Sequence, residues 1–356
     1  MLKGRAYWHG MTKCFTRLVE ILATCGFVCV ASLPVKGQIA DLGFLNHDRP
    51  VLDAHNCYPY DGRWADRIDR ALETGFPVAI EQDLAWFVDP VSGKGRVVLD
   101  HSAKTTATDP EEGQYFFERV RPMIEQQLAA GDSSQWPVIV LHFDFKDQQA
   151  PLLHAVWDLL GKYEAWITTA EKGADPLQIS PLDRKPILVL TEDADAQEEV
   201  FFRTLPRGAR LRLFGSAHTN TPVNASKEQL IHAVATLPPE QLLTERPTNY
   251  RRWWNNSWYE VEEGGQRNAG PWTKADGARL HALVNHAHSL GYWIRFYTLD
   301  GFELAKAREN GWFADYNFGG LQAVEERWKA ALDAGVDLLA TDQYEDLSKL
   351  MRSRRR

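Results

Sequence analysis

The sequence predicts a single-domain TIM barrel, an eight-fold (β/α) repeat closed on itself. Three observations lead there. From residue 51 onward short apolar runs alternate with amphipathic stretches that end in glycine, and the runs read as strands buried on both faces. Seven or eight such units fit within 356 residues. No glycine-rich phosphate loop follows the first strand, as a doubly wound dinucleotide fold would require.

The elements follow in order. VLDAH (51–55) is the first strand. RWADRIDRALETG (63–75) carries Trp64, Ile68, Ala71 and Leu72 at helical spacing, with Gly75 as its stop. PVAIEQDLAW (77–86) and GRVVLDH (95–101) are the next two strands. The helix of 108–131 is expected to be capped by Asp109, to take Pro110 at its first position and to end at Gly131. PVIVLHFDFK (137–146), a helix over 151–166, KPILVLTED (185–193) and LRLFG (211–215) continue the alternation. Helices over 272–291 and 321–335 then introduce the strands WIRFYTL (293–299) and LLATD (338–342). YRRWWNNSWYEVEEGG (250–265) reads either as a packed loop or as a rim of Trp and Arg around an anionic or sugar-like headgroup. His286 and His288 sit on a helix whose buried stripe is Leu280, Leu283, Val284 and Ala287, so they are expected to face solvent.

The N-terminus has a different character. Lys3, Arg5, Lys13 and Arg17 precede ILATCGFVCVASL (21–33), the charged region and short apolar region of a secretory signal. Residues 1–40 are therefore expected to be a signal peptide or N-terminal anchor, 41–350 the barrel and 351–356 a basic tail. The mature protein is expected to be secreted or periplasmic. The apolar run is short for a membrane span, so no stable span is expected in the mature chain. Cys14, Cys25 and Cys29 would leave with the signal, and Cys57 alone offers no internal disulfide. A net charge of −8 argues against nucleic acid as a partner, because phosphate backbones are held by basic surfaces.

In TIM barrels the chemistry gathers at the C-terminal ends of the strands. Polar residues concentrate there in this chain: His55 and Asn56 after the first strand, Glu81 and Asp83 on the second, His101 after GRVVLD, and His142, Asp144 and Lys146 on one parity of 137–146. Glu81 and Asp83 are two residues apart and share a face, which desolvation and mutual repulsion oppose unless a cation lies opposite. Three carboxylates and an amide oxygen form an oxygen-rich site for a hard divalent cation, Ca2+ or Mg2+. Histidines beside such an ion suit proton transfer, and a lysine adds positive charge for an anionic oxygen. Together these groups describe phosphoryl-ester chemistry.

The order His-Asn, Glu-x-Asp, His, then acid-x-Lys resembles the PLC-like phosphodiesterase superfamily of glycerophosphodiester phosphodiesterases and phosphoinositide phospholipases C. IRFYTLDG and AALDAGVDLLATDQYEDL are similar to that group's closing stretch. The resemblance covers residues 50–350. It implies that His55 and His101 are the two acid/base catalysts, that Glu81, Asp83 and Asp144 bind the metal, and that Lys146 meets the phosphate of a small-molecule or lipid phosphodiester. HNCY (55–58) resembles the His-Asn-x-Tyr of the calcium-dependent phospholipases C, which adds Asn56 as a fourth ligand. The His-Arg-Gly usual in glycerophosphodiesterases is absent here. Tyr297 stands where many members place Trp, and Arg295, on its face, is the second candidate phosphate contact. His142 is assigned to the pocket wall. Two other classes fit the same residues: a glycosidase barrel using Glu81 with another carboxylate, and a barrel that binds a headgroup or sugar without turning it over.

Overall fold

A computed structural model of the chain describes residues 47–354, except 48, 61, 134, 135 and 137. The expected signal segment and the last two arginines of the basic tail lie outside the described residues. The strands, in chain order, are β1 (Val51–Ala54), β2 (Val78–Val88), β3 (Gly95–Leu99), β4 (Ile139–Phe145), β5 (Ile187–Thr191), β6 (Phe214–Ser216), β7 (Arg251–Ser257), β8 (Trp293–Tyr297) and β9 (Leu338–Thr341). Among the described residues, eight of them close a parallel barrel in the order β1, β2, β4, β5, β6, β7, β8, β9 and back to β1. The predicted TIM barrel is the observed fold.

Two strands differ from expectation. GRVVL (β3) is not a stave of the barrel. It runs antiparallel to the long second half of β2, Leu84 opposite Leu99, as a hairpin that projects beyond the barrel. The missing stave is β7, within the segment read as a loop or rim. Its arginines hid it. Arg251 and Arg252 are buried, Arg251 paired with Asp193 and Glu198, Arg252 donating to the carbonyls of Ser180 and Asn249. Trp253 and Trp254 fill the core on opposite faces of the strand. A small antiparallel sheet of Thr169–Glu171, Leu182–Asp183 and Arg210–Leu211 flanks the barrel and absorbs the start of the expected LRLFG strand.

The helices pack their apolar stripes onto the outer face of the barrel. Leu152, Leu153, Val156 and Leu160 do so from Ala150–Lys162, and Leu280, Leu283, Val284 and Ala287 from Lys274–Leu290. The latter opens on a capping box between Thr273 and Asp276 and closes on Gly291, whose φ of 97° is one that side chains with a Cβ resist. Asp109 does not cap a helix. Its carboxylate accepts from the Thr106 amide and hydroxyl in a surface turn, and the regular helix begins at Glu118 after a π-type turn over Gly113–Phe117. No helix among the described residues is long and apolar enough to cross a membrane.

Barrel register places the chemistry. Glu81 pairs with His142 and Asn255 with Arg295, so four polar residues meet at one level inside the barrel. Asp53 on β1 joins them through Arg295.

Candidate active site

Every residue expected at the site, apart from Asp83, lines one cavity of about 220 Å³ in the mouth of the barrel: His55, Asn56, Glu81, His101, His142, Asp144, Lys146, Arg295 and Tyr297. Asp83 is fully buried just beneath. Glu192, Asn255 and Tyr316 complete the wall.

The first strand ends in a turn that presents His55 and Asn56. Asn56 takes φ of 50°, a conformation in which asparagine is enriched. Its carbonyl accepts from the buried guanidinium of Arg67, which fixes the turn from below. His55 Nδ1 donates to Asp342 Oδ1 at 2.9 Å, so the ring is held with Nε2 toward the cavity, 3.7 Å from Glu81. Asn56 Nδ2 donates to the same Asp342 oxygen at 3.0 Å. Burial alone would push the His55 imidazole down, but the Glu81 and Asp342 carboxylates outweigh it and lift it to about 9. Asp342 itself stays charged: burial opposes ionisation, and His55 overcomes it. Its neighbour Asp300 takes the reverse role, raised to about 7 by burial and by Asp342 while accepting from the Thr341 hydroxyl and the Asp342 amide.

The second histidine is placed differently. His101 follows the β3 hairpin, half exposed, with Nδ1 donating to Asp83 Oδ2 at 2.8 Å. Phe313 connects the two imidazoles. Its ring packs on His101 at 4.6 Å between centroids, and its amide donates to Asp342 Oδ2 at 2.9 Å.

Glu81, Asp83 and Asp144 each offer an oxygen, and these atoms lie within 4.8 Å of one another. Asp83 Oδ1 is buried without a partner, while Oδ2 receives Tyr58, His101 and Lys146. Burial and the nearby Asp83 charge push Asp144 up to about 6. An orphaned carboxylate oxygen and a carboxyl driven toward its neutral form are what an all-oxygen set shows when it lacks a cation, so these residues fit a hard divalent ion. The protein supplies a cation of its own to the Asp83 and Asp144 pair. The Lys146 ammonium lies 2.7 Å from Asp144 Oδ2 and 2.8 Å from Asp83 Oδ2. Asn56 Oδ1 stands 3.1 Å from the Tyr58 hydroxyl, on the rim of the same acids.

Arg295 is buried in the wall with its guanidinium engaged by Asp53, Glu81 and Asn255, the last at 3.0 Å. Glu81 is held well below the usual carboxylate range: burial opposes this, and His55 and Arg295 prevail. His142 bridges onward, donating to Glu192 at 2.6 Å. Tyr297 walls the cavity with Tyr316 at right angles to it, 6.5 Å between ring centroids. Replacing Arg295 by Met would strand two buried carboxylates. It is expected to cost about 3–5 kcal/mol of stability, read by urea unfolding, and a cost below about 1 kcal/mol would show that Asp53 and Glu81 find other partners.

Asp342, Asp300, Glu192, Asp53 and Asn255 were not singled out from the sequence. Asp342 and Glu192 carried the same signal as the residues that were, an acid at the C-terminal end of a barrel strand. Asp53 and Asn255 are visible only once the barrel is closed, because their partner Arg295 comes from β8. Cys57 is buried and its thiol is pushed up to about 12 by burial, which keeps it in the thiol form rather than the nucleophilic thiolate.

No family model matches the chain, and no curated protein matches it in sequence. Among solved structures, a glycerophosphodiester phosphodiesterase from Parabacteroides distasonis ATCC 8503 is similar at 12% identity, covering 86% of this chain and 98% of its own, with a TM-score of 0.45. A glycerophosphoryl diester phosphodiesterase from the same organism is similar at 11% identity over 89% and 93%, with a TM-score of 0.42. A Plasmodium falciparum HPPK-DHPS is also similar, at 10% identity over 87% of this chain and 48% of its own, with a TM-score of 0.39. Likenesses of this size assign neither fold nor chemistry, and the barrel stands on the strand pairing described above.

Proposed function

We propose that the protein is a divalent-cation-dependent phosphodiester hydrolase acting on a glycerophosphodiester, phospholipid or inositol-phosphate headgroup. One observation carries this reading: two imidazoles, each oriented through Nδ1 by its own carboxylate, border the three converging acids Glu81, Asp83 and Asp144. His55, rigid and buried, is the group placed to take a proton at Nε2 from the attacking hydroxyl as the new P–O bond forms. His101, on the exposed hairpin side, is placed to give a proton to the departing oxygen as the old P–O bond breaks. Lys146, facing the cavity, offers positive charge to a phosphoryl oxygen. Tyr297 and Tyr316 provide the apolar walls. The chemistry supplied by a cation when bound is polarisation of a phosphoryl oxygen and, through neutralisation of Glu81, relief of the pull that keeps a proton on His55. A cavity of about 220 Å³ takes a headgroup and leaves any acyl chain outside.

The test is a panel of glycerophosphodiesters, lysolipids and inositol phosphodiesters assayed with Mg2+, with Ca2+ and with chelator. Cation-dependent release of a phosphomonoester or cyclic phosphate supports the proposal. Tight headgroup binding without turnover under either ion would select a binding module, and chelator-resistant cleavage of sugars a glycosidase.

A further inference from the structure

The barrel has a second cluster of ligating side chains at its opposite end. Asp337 immediately precedes β9, and its backbone bonds to Val51 and Ile294 place it at the N-terminal end of the staves, away from the mouth. Its side chain is almost fully buried and both oxygens are occupied. Oδ1 faces His47 Nδ1 at 2.9 Å, and Oδ2 faces His288 Nε2 at 2.9 Å while accepting from the Ile294 amide at 2.8 Å. His288, expected to face solvent, is instead partly buried in this contact, and its neighbour His286 donates to the Leu243 carbonyl. The two imidazoles lie 4.0 Å apart between centroids. His47 adopts φ of 63°, an uncommon backbone conformation outside glycine.

We infer that His47, His288 and Asp337 form a binding site for a borderline divalent transition cation of the Zn2+ class, separate from the oxygen-rich set in the mouth. The donor types are the first argument. Two imidazole nitrogens and one carboxylate select Zn2+, Co2+ or Ni2+ over Ca2+ and Mg2+, which prefer oxygen. Spacing is the second. With metal–ligand bonds of about 2.1 Å, tetrahedral ligands stand about 3.4 Å apart, and His47 Nδ1 and His288 Nε2 each stand 2.9 Å from one oxygen of the carboxylate, so a shift of about 0.5 Å opens either edge to that spacing. All three ligand atoms also lie within 4.8 Å of one another, close enough to share one ion. The third argument is access. Both histidines are partly exposed, at 28% and 22%, while the carboxylate is buried and pinned by the Ile294 amide, so an ion can enter without unfolding the barrel. Bound there, it would tie the segment before β1 to the last turn of Lys274–Leu290 and to the entry of β9.

The experiment uses the full chain carrying Asp144→Asn, which weakens the mouth set and leaves the barrel base intact, titrated with Zn2+ alone against a chromogenic chelator. One equivalent of Zn2+ is expected to bind. Adding His47→Ala or His288→Ala is expected to weaken that binding by about tenfold or more, with the far-UV spectrum unchanged. Retention of full affinity in either folded variant, or failure of the parent to bind Zn2+ at all, overturns the site. The two single variants are independent, so misfolding of one leaves the other to decide. The readout is Zn2+ affinity, so it stands or falls apart from any phosphodiesterase activity.

Discussion

His55→Ala is expected to lower turnover of a phosphodiester by about three orders of magnitude while the barrel stays folded. The expectation rests on how the ring is held. A histidine whose Nδ1 is tied to a charged, buried carboxylate has one nitrogen left, and here that nitrogen looks into the cavity beside Glu81. Asp342→Asn extends the test. It removes the charge that fixes the tautomer and lifts the imidazole, and it should cost turnover about a hundredfold with little change in KM. Because His55 and Asp342 act as a unit, the double variant should lose scarcely more than His55→Ala alone. Full additivity, or an active His55→Ala protein, would remove His55 from the reaction. Loss of fold would show as a lowered Tm in both single variants and would be separated by that measurement.

How much of this was legible from residues alone follows from where each side chain finds its partner. The alternation of apolar runs and glycine-terminated helices announced the barrel because strands buried on both faces leave no polar alternation to confuse with a sandwich. The acids on β2 and β4 were legible because a like-charged pair inside an apolar run demands compensation. β7 was not, because RRWWNNS puts two arginines where an apolar strand is expected, and their carboxylate and carbonyl partners come from segments far away in sequence. His101 shows a subtler case. It was placed at the end of a barrel stave, whereas it belongs to a loop beyond a hairpin, and it reaches Asp83 because the extended β2 carries the hairpin over the mouth. Asp342 required a ring of eight strands to close before residue 55 could meet residue 342.

Those long-range pairings also set the electrostatics of the mouth. Asp53, Glu81, Asp83, Asp144, Glu192, Asp300 and Asp342 share a small volume with Arg295, Lys146 and three histidines. The arginine pairs with Asp53 and Glu81, and the lysine sits between Asp83 and Asp144. Burial, with the neighbouring Asp342 charge second, pushes Asp300 up to about 7, and burial with the Asp83 charge pushes Asp144 up to about 6. In the proposed reading, a divalent ion beside Glu81, Asp83 and Asp144 adds the positive charge that favours their ionised forms.

Chelation is accordingly expected to remove several kcal/mol of transition-state stabilisation, about a thousandfold in turnover, with recovery on return of Mg2+ or Ca2+. The same site predicts how affinity for the ion depends on pH. Burial and Asp83 raise the Asp144 carboxyl to about 6, and the ion takes only the deprotonated carboxylate. Below that value a proton competes, so affinity should fall by about tenfold for each pH unit, and above it affinity should level off. Asp144→Asn, which keeps the shape but not the charge, should weaken binding and flatten the slope near pH 6. Isothermal titration of the ion between pH 5 and 8 reads both effects. A flat profile in the native protein, or turnover that survives chelation at full rate, would mean that Lys146 meets the charge requirement of Asp83 and Asp144 unaided, and the two histidines would then be working without a metal between them.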